Sequence, residues 1–322
     1  MDPSGIEKQG KEPSGGILDQ IGNTPLVELS NISSGRIPNF YAKLEFFNPS
    51  GSIKDRVARY ILEISEKNNA LEPGDLIVES TSGNMGLSFA LIGTLKGYRC
   101  LFAIPETVSK EKIKTLRLFG AEIVLTPRGL PPSDGRSCYK VAQRIARERC
   151  ALYVNQYFNE LNPESHYHST GPEIWKQTGG MVDTVFCGIG TGGTISGVGK
   201  YLKEKNPGTK IIGVEPVGSV FREYYREGTV PQAGNFEVEG IGKNFIPGAL
   251  DFDFVDDVVQ VSDKRSYETV SDLISKEGVF AGGSGGAVVA AALDYRGSFE
   301  KDRRVVVILP DTGLKYLSKF AV

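Results

Sequence analysis

The 322-residue sequence predicts an α/β fold: two domains of open, twisted, mainly parallel sheet with helices on both faces. Three observations predict it. Short apolar runs such as Leu76-Ile77-Val78 and Val305-Val306-Val307-Ile308-Leu309 alternate with stretches of helical periodicity, the pattern of βαβ units. That series breaks once, at Gly129-Leu130-Pro131-Pro132-Ser133-Asp134-Gly135, and resumes at Leu152. The length suits two domains at about 150 residues each.

Residues 1–16 are polar and glycine-rich and are expected to form a flexible arm. Residues 24–29 read as a first strand and the alternating 40–47 as a second. Asn48-Pro49-Ser50-Gly51 ends that ladder, after which Ile53, Val57, Tyr60, Ile61 and Ile64 fall at helical spacing. Strands at 76–79, 99–104 and 122–125 then alternate with helices at 84–96 and 109–119, and a helix at 138–148 follows the break. The second series has strands at 152–154, 184–187, 210–215, 279–281 and 305–309. Its helices fall at 172–177, 194–205, 265–276 and from Ser284. Residues 216–245 read as a long excursion. The expected division is a smaller, mobile domain at 40–150 inserted into a larger one made of 17–39 and 151–322.

A hydrophobic content of 40%, 24% charged residues and a formal net charge of -2 are those of a globular protein. They give no support to a nucleic-acid or membrane partner. The polar start has no signal-peptide core, and no apolar run reaches the ~18 residues of a spanning helix. Cys100, Cys138, Cys150 and Cys187 are scattered without metal spacing, so reduced thiols in a cytoplasmic protein and no metal site are expected. His166 and His168 read as structural.

Three strand-to-helix turns carry the chemistry. Asn48-Pro49-Ser50-Gly51-Ser52-Ile53-Lys54 delivers Lys54 to a first helical turn, where the helix dipole disfavours its charge by up to about 1 kcal/mol. An easily deprotonated lysine suits covalent chemistry with a carbonyl cofactor, although a solvated helix-start lysine is the simpler reading of that turn alone. Glu79-Ser80-Thr81-Ser82-Gly83-Asn84 is dense in hydroxyls, and Gly188-Ile189-Gly190-Thr191-Gly192-Gly193-Thr194 suits a phosphate. Gly188, Gly190 and Gly193 also satisfy a dinucleotide-type GxGxxG, a reading that leaves Lys54 and Asn84 unexplained.

In these motifs, in this order, the chain from about Ile17 to Phe320 resembles the cysteine synthase and cystathionine beta-synthase family of pyridoxal phosphate (PLP) enzymes. The resemblance implies fold type II, of the tryptophan synthase beta kind. It makes Lys54 the lysine that bonds the cofactor and removes the substrate's α proton. Gly190, Thr191, Gly192, Gly193 and Thr194 become the phosphate cradle, Asn84 the partner of the ring hydroxyl, and Ser284 the partner of the pyridine nitrogen. Thr81, Ser82 and Gln156 are implied at the substrate carboxylate, with helix capping as the alternative role for Ser82. Asp311 falls in the closing turn behind the ring, and Glu239-Gly240-Ile241-Gly242 near the site entrance.

The implied reaction is β-replacement on an activated L-serine (O-acetylserine, O-phosphoserine or serine) through an aminoacrylate, with a sulfur nucleophile giving cysteine or cystathionine. A nitrogen nucleophile, L-glutamate with O-phospho-L-serine, and a serine or threonine deaminase are the alternatives. A homodimer acting on small amino acids is implied too. Met85 stands where the family usually carries threonine and Ser80 where proline is frequent, as in a sister group that makes a diaminopropionate precursor. Arg128, Arg136 and Arg144 are candidate phosphate readers.

Overall fold

The structure, a computed structural model, describes residues 15–320 except Ser82, Thr107, Gly129, 296–298, 300 and 301. Residues 1–14 of the expected arm lie outside the described residues, and so does Ser82.

In chain order the strands are β1 (Leu26–Glu28), β2 (Phe40–Leu44), β3 (Leu76–Ser80), β4 (Arg99–Pro105) and β5 (Glu122–Thr126). They continue as β6 (Leu152–Tyr153), β7 (Val182–Gly188), β8 (Lys210–Pro216), β9 (Asp257–Val261) and β10 (Arg304–Leu309). The helices are α1 (Lys54–Lys67), α2 (Asn84–Lys96), α3 (Lys110–Leu118), α4 (Cys138–Glu148) and α5 (Leu161–His168). After them come α6 (Thr170–Gln177), α7 (Gly193–Lys205), α8 (Phe221–Glu227), α9 (Asp263–Glu277) and α10 (Gly283–Asp294).

Six strands form one sheet in the order β1-β2-β10-β7-β8-β9, and four form another in the order β5-β4-β3-β6. All neighbours run parallel except β1 on β2. Strands buried on both faces are mainly apolar, and β3 and the first six residues of β7 are buried along their length, with Glu79, Ser80, Asp183 and Thr184 as their polar exceptions.

Two strands change sides relative to the sequence reading. β2 belongs to the larger sheet, paired with β10 from Phe40↔Val305 to Leu44↔Leu309, and its Phe40, Ala42 and Leu44 fill the same core as Phe186 and Val307. β6 joins β3 in the smaller sheet. The expected strand at 40–47 stops at Leu44, where Glu45–Phe47 form a 3₁₀ turn. At 279–281 the chain makes only a bridge, Ala281 to Thr312. Helices α5 and α8 and strand β9 appear where none was expected; α5, with Pro163 and two histidines, has little apolar periodicity to betray it.

Helix α1 is held by buried charge. Arg56 donates from Nε to Glu45 Oε2 at 2.6 Å and from Nη1 to Glu173 Oε1 at 2.7 Å, and Lys43 meets Glu173 at 2.6 Å. The turn before the helix is tied to the last strand: Ile53 N donates to Pro310 O at 2.9 Å, and Ser52 bridges Asp311. The carboxyl ends of β2, β3, β7 and β10 therefore converge, the usual place for a ligand in open α/β sheets.

Candidate active site

At that convergence lies a cavity. Lys54, Asn84, Gly190, Thr191, Gly192, Thr194 and Ser284 line it, with Cys187, Gly240, Ile241 and Asp311 completing the wall. Eight of the eleven expected site residues thus need placing in two groups: these seven and Gly193, which opens α7 behind the turn. Thr81 and Gln156 are outside its lining, one residue past β3 and three residues past β6.

Lys54 is the first residue of α1, and Ser50 N donates to Asp55 Oδ2 at 2.7 Å, fixing the turn to the helix. Burial pushes the Lys54 amine below the usual lysine range; Cys187 and Asp311 pull it back and the Lys243 charge pushes further down. That is the direction required of a lysine that must lose its proton.

The turn from β7 to α7 is a set of donors. Its N–H groups open a 13-residue helix, where the first amides have no partner within the helix. Glycine is required in it. Gly192 has φ +88°, and a Cβ there would stand 2.4 Å from Leu250 Cβ; one at Gly190 would stand 2.3 Å from Gly240 O. Asn162 Nδ2 donates to Thr191 Oγ1 at 2.9 Å, and His166 Nε2 meets Thr194 Oγ1 at 3.1 Å while its Nδ1 meets Thr170. Burial, with Lys54 and Arg56 nearby, holds His166 well below its usual range, so it is neutral behind the turn. No cluster of metal-ligating side chains occurs among the described residues.

Asn84 opens α2, and its amide is clamped. Nδ2 donates to Asp311 Oδ2 and Oδ1 accepts from Lys315 Nζ, each at 2.7 Å. Ser284 lies in the first turn of α10 and is 2% exposed. Thr81 Oγ1 accepts from Gly83 N and Gly86 N at 3.2 and 3.3 Å, so its hydroxyl serves the start of α2. Gln156 is 4% exposed, with Nε2 on Ser80 O and its backbone N on Glu79 Oε2. Met85 packs in the core beside Phe89 and Ile92.

Three arginines do not reach the cavity. Arg128 is exposed, Arg136 pairs with Asp134 on the surface, and Arg144 faces Glu148 one helical turn on. Asn162, Lys243 and Lys315 escaped the sequence reading, and His166, expected to be structural, stands behind the turn on Thr170 and Thr194.

A buried amine facing a donor-lined turn at the ends of parallel strands is the site of an enzyme that works through a small anionic cofactor. The chain belongs to the pyridoxal-phosphate dependent enzyme family, whose model matches residues 17–311. It is 42% identical over 307 residues to the cystathionine beta-synthase of Apis mellifera, covering 94% of this chain and 60% of that protein. With that of Rattus norvegicus it shares 44% over 307 residues, 94% of this chain and 54% of the relative. The Saccharomyces cerevisiae protein is 40% identical over 316 residues, 94% and 62% respectively. The chain thus spans just over half the length of these relatives.

The crystal structure of O-ureido-L-serine synthase superposes with a TM-score of 0.86 at 35% identity, covering 95% of this chain and 94% of that one. A lysine-to-alanine mutant of that synthase with O-ureido-L-serine bound gives 0.83 at 34%, covering 95% and 93%. These likenesses make the cofactor pyridoxal phosphate and the fold type II. The cavity suits that cofactor: an amine for its aldehyde, and amides and threonine hydroxyls, with no acidic side chain in the 188–194 turn, for its phosphate.

Proposed function

We propose that the chain carries out β-replacement on an activated L-serine (O-acetylserine, O-phosphoserine or serine) with sulfide or homocysteine as nucleophile, giving cysteine or cystathionine. The observation that carries the reading is the one cavity shared by Lys54 and the 190–194 turn. Pyridoxal phosphate, when bound, supplies an electron sink that acidifies an amino acid's α carbon and lets a β substituent leave. Lys54 would hold it covalently and take the α proton, a task eased by its depressed pKa. The 190–194 turn would bind the phosphate, Asn84 the ring hydroxyl and Ser284 the ring nitrogen. A neutral hydroxyl cannot keep that nitrogen protonated as a carboxylate would, which favours elimination of a β substituent. Thr81, Ser82 and Gln156 would serve the α-carboxylate.

The relatives named cystathionine beta-synthase support a sulfur nucleophile, and the neighbour named O-ureido-L-serine synthase supports a serine-derived product. L-glutamate acting on O-phosphoserine is the second reading, favoured by Met85, which offers no hydroxyl where the family usually has one. Free thiols at all four cysteines support a cytoplasmic setting, and the family likeness a homodimer. Incubating each activated serine with sulfide, homocysteine and glutamate and weighing the products tests the reading. Cysteine or cystathionine is expected; an N-linked product alone overturns the sulfur assignment, and no product from any pair overturns β-replacement.

A further inference from the structure

The excursion between β8 and β9 returns to the cavity wall at Gly240 and Ile241, and Lys243 follows two residues later. Its backbone is fastened on both sides. Gly242 N donates to Ile189 O at 2.8 Å, Lys243 N to Ser219 Oγ at 3.0 Å, and Val220 N to Lys243 O at 3.2 Å. The side chain crosses to the other sheet's connections: Nζ donates to the Tyr157 hydroxyl at 2.9 Å and stands 4.8 Å from the centre of that ring. Tyr157 meets Tyr139 of α4 edge-on at 5.5 Å and follows Gln156 directly.

The other half-buried lysines near the cavity have partners that account for them: Lys112 pairs with Glu239, and Lys315 donates to Asn84. Among the described residues Lys243 has a phenol and a ring, but no carboxylate in an ion pair. A lysine ammonium carries three donors, and withdrawing it from water without a counter-ion is costly. Gly240 and Ile241, just before it, line the cavity, and the Lys243 charge adds to the lowering of the Lys54 pKa. Burial keeps the Tyr139 and Tyr157 hydroxyls protonated, and so able to donate.

We propose that Lys243, with the Tyr157 and Tyr139 hydroxyls, forms a subsite for a second anionic group: the phosphate of a phosphorylated serine or the carboxylate of an amino-acid nucleophile. The subsite rests on the β-replacement reading. It reads a phosphate or carboxylate, which the acetyl group of O-acetylserine and sulfide do not bring to this corner. Lys243 therefore sets preference among substrates that share one reaction.

The test compares holoenzyme carrying Lys243, K243Q or K243R. O-phospho-L-serine and O-acetyl-L-serine are each titrated against the cofactor's visible band, and glutamate, homocysteine and sulfide are compared by kcat/KM. K243Q should weaken either O-phosphoserine relative to O-acetylserine, or the amino-acid nucleophiles relative to sulfide, by about tenfold or more, the worth of a charge-assisted hydrogen bond. The arm affected names the source of the anion, and K243R should restore most of the preference. An equal loss on every substrate, or none, overturns the subsite. A wild-type band that no serine derivative moves overturns β-replacement and the subsite with it; a band that moves while K243Q leaves the preference unchanged overturns the subsite alone.

Discussion

Asn84 and Asp311, 227 residues apart in the chain, share a hydrogen bond of 2.7 Å from Asn84 Nδ2 to Asp311 Oδ2. The other end of the amide is taken by Lys315, and the Tyr316 hydroxyl donates to the same Asp311 oxygen. Asp311 Oδ1 is buried without a partner. The turn after β10 thus orients a residue at the start of α2, in the other half of the molecule. Asp311→Ala should free that amide and lower kcat about 10- to 100-fold through misplacement alone. A shifted cofactor band should accompany the loss, and an unchanged kcat and spectrum would refute the clamp.

Glycine at 192 is demanded twice, by φ +88° and by Leu250 standing 2.4 Å from a would-be Cβ. Gly228 has φ +71° and nothing within 4 Å of its Cβ position. Gly192→Ala should cost about 2–5 kcal/mol and weaken cofactor retention, whereas Gly228→Ala should cost about 1–2 kcal/mol. Urea unfolding of the two variants separates the contributions of backbone and contact.

Burial pushes the Glu173 carboxyl up, but the hydrogen bonds and charge of Arg56, with Lys43, outweigh it and hold it at about 2. A depressed folded pKa contributes stability that is complete above the ordinary value of 4.5 and lost as pH falls from there toward about 2. The linkage amounts to roughly 3 kcal/mol. Glu173→Gln should be less stable at neutral pH by a similar amount and should lose less on acidification. Unfolding curves at neutral and acid pH check both signs.

Arg136 and Arg144 end in surface pairs far more open to water than the cavity. Substituting either by alanine should shift stability by less than about 0.5 kcal/mol and leave the KM for O-phosphoserine unaltered. Steady-state kinetics on the two variants decides it.

What could be read from the chain alone was local. Lys54, Asn84 and the 190–194 turn each sit where a strand gives way to a helix within a dozen residues, so turn chemistry and periodicity exposed them. The residues that hold them were hidden, because their meaning comes from contacts across the sequence. Asn162 reaches Thr191, Lys315 reaches Asn84, and Lys243 reaches Tyr157. The same limit misplaced β2, whose alternation shows a strand but whose sheet is decided by β10, far downstream.

The most direct test is to reduce the holoenzyme with borohydride, digest it and locate the pyridoxyl group by mass spectrometry. It should be found on the peptide containing Lys54 and be absent from Lys54→Ala. A pyridoxyl group on Lys243, Lys315 or any other lysine of the unaltered protein would contradict the account.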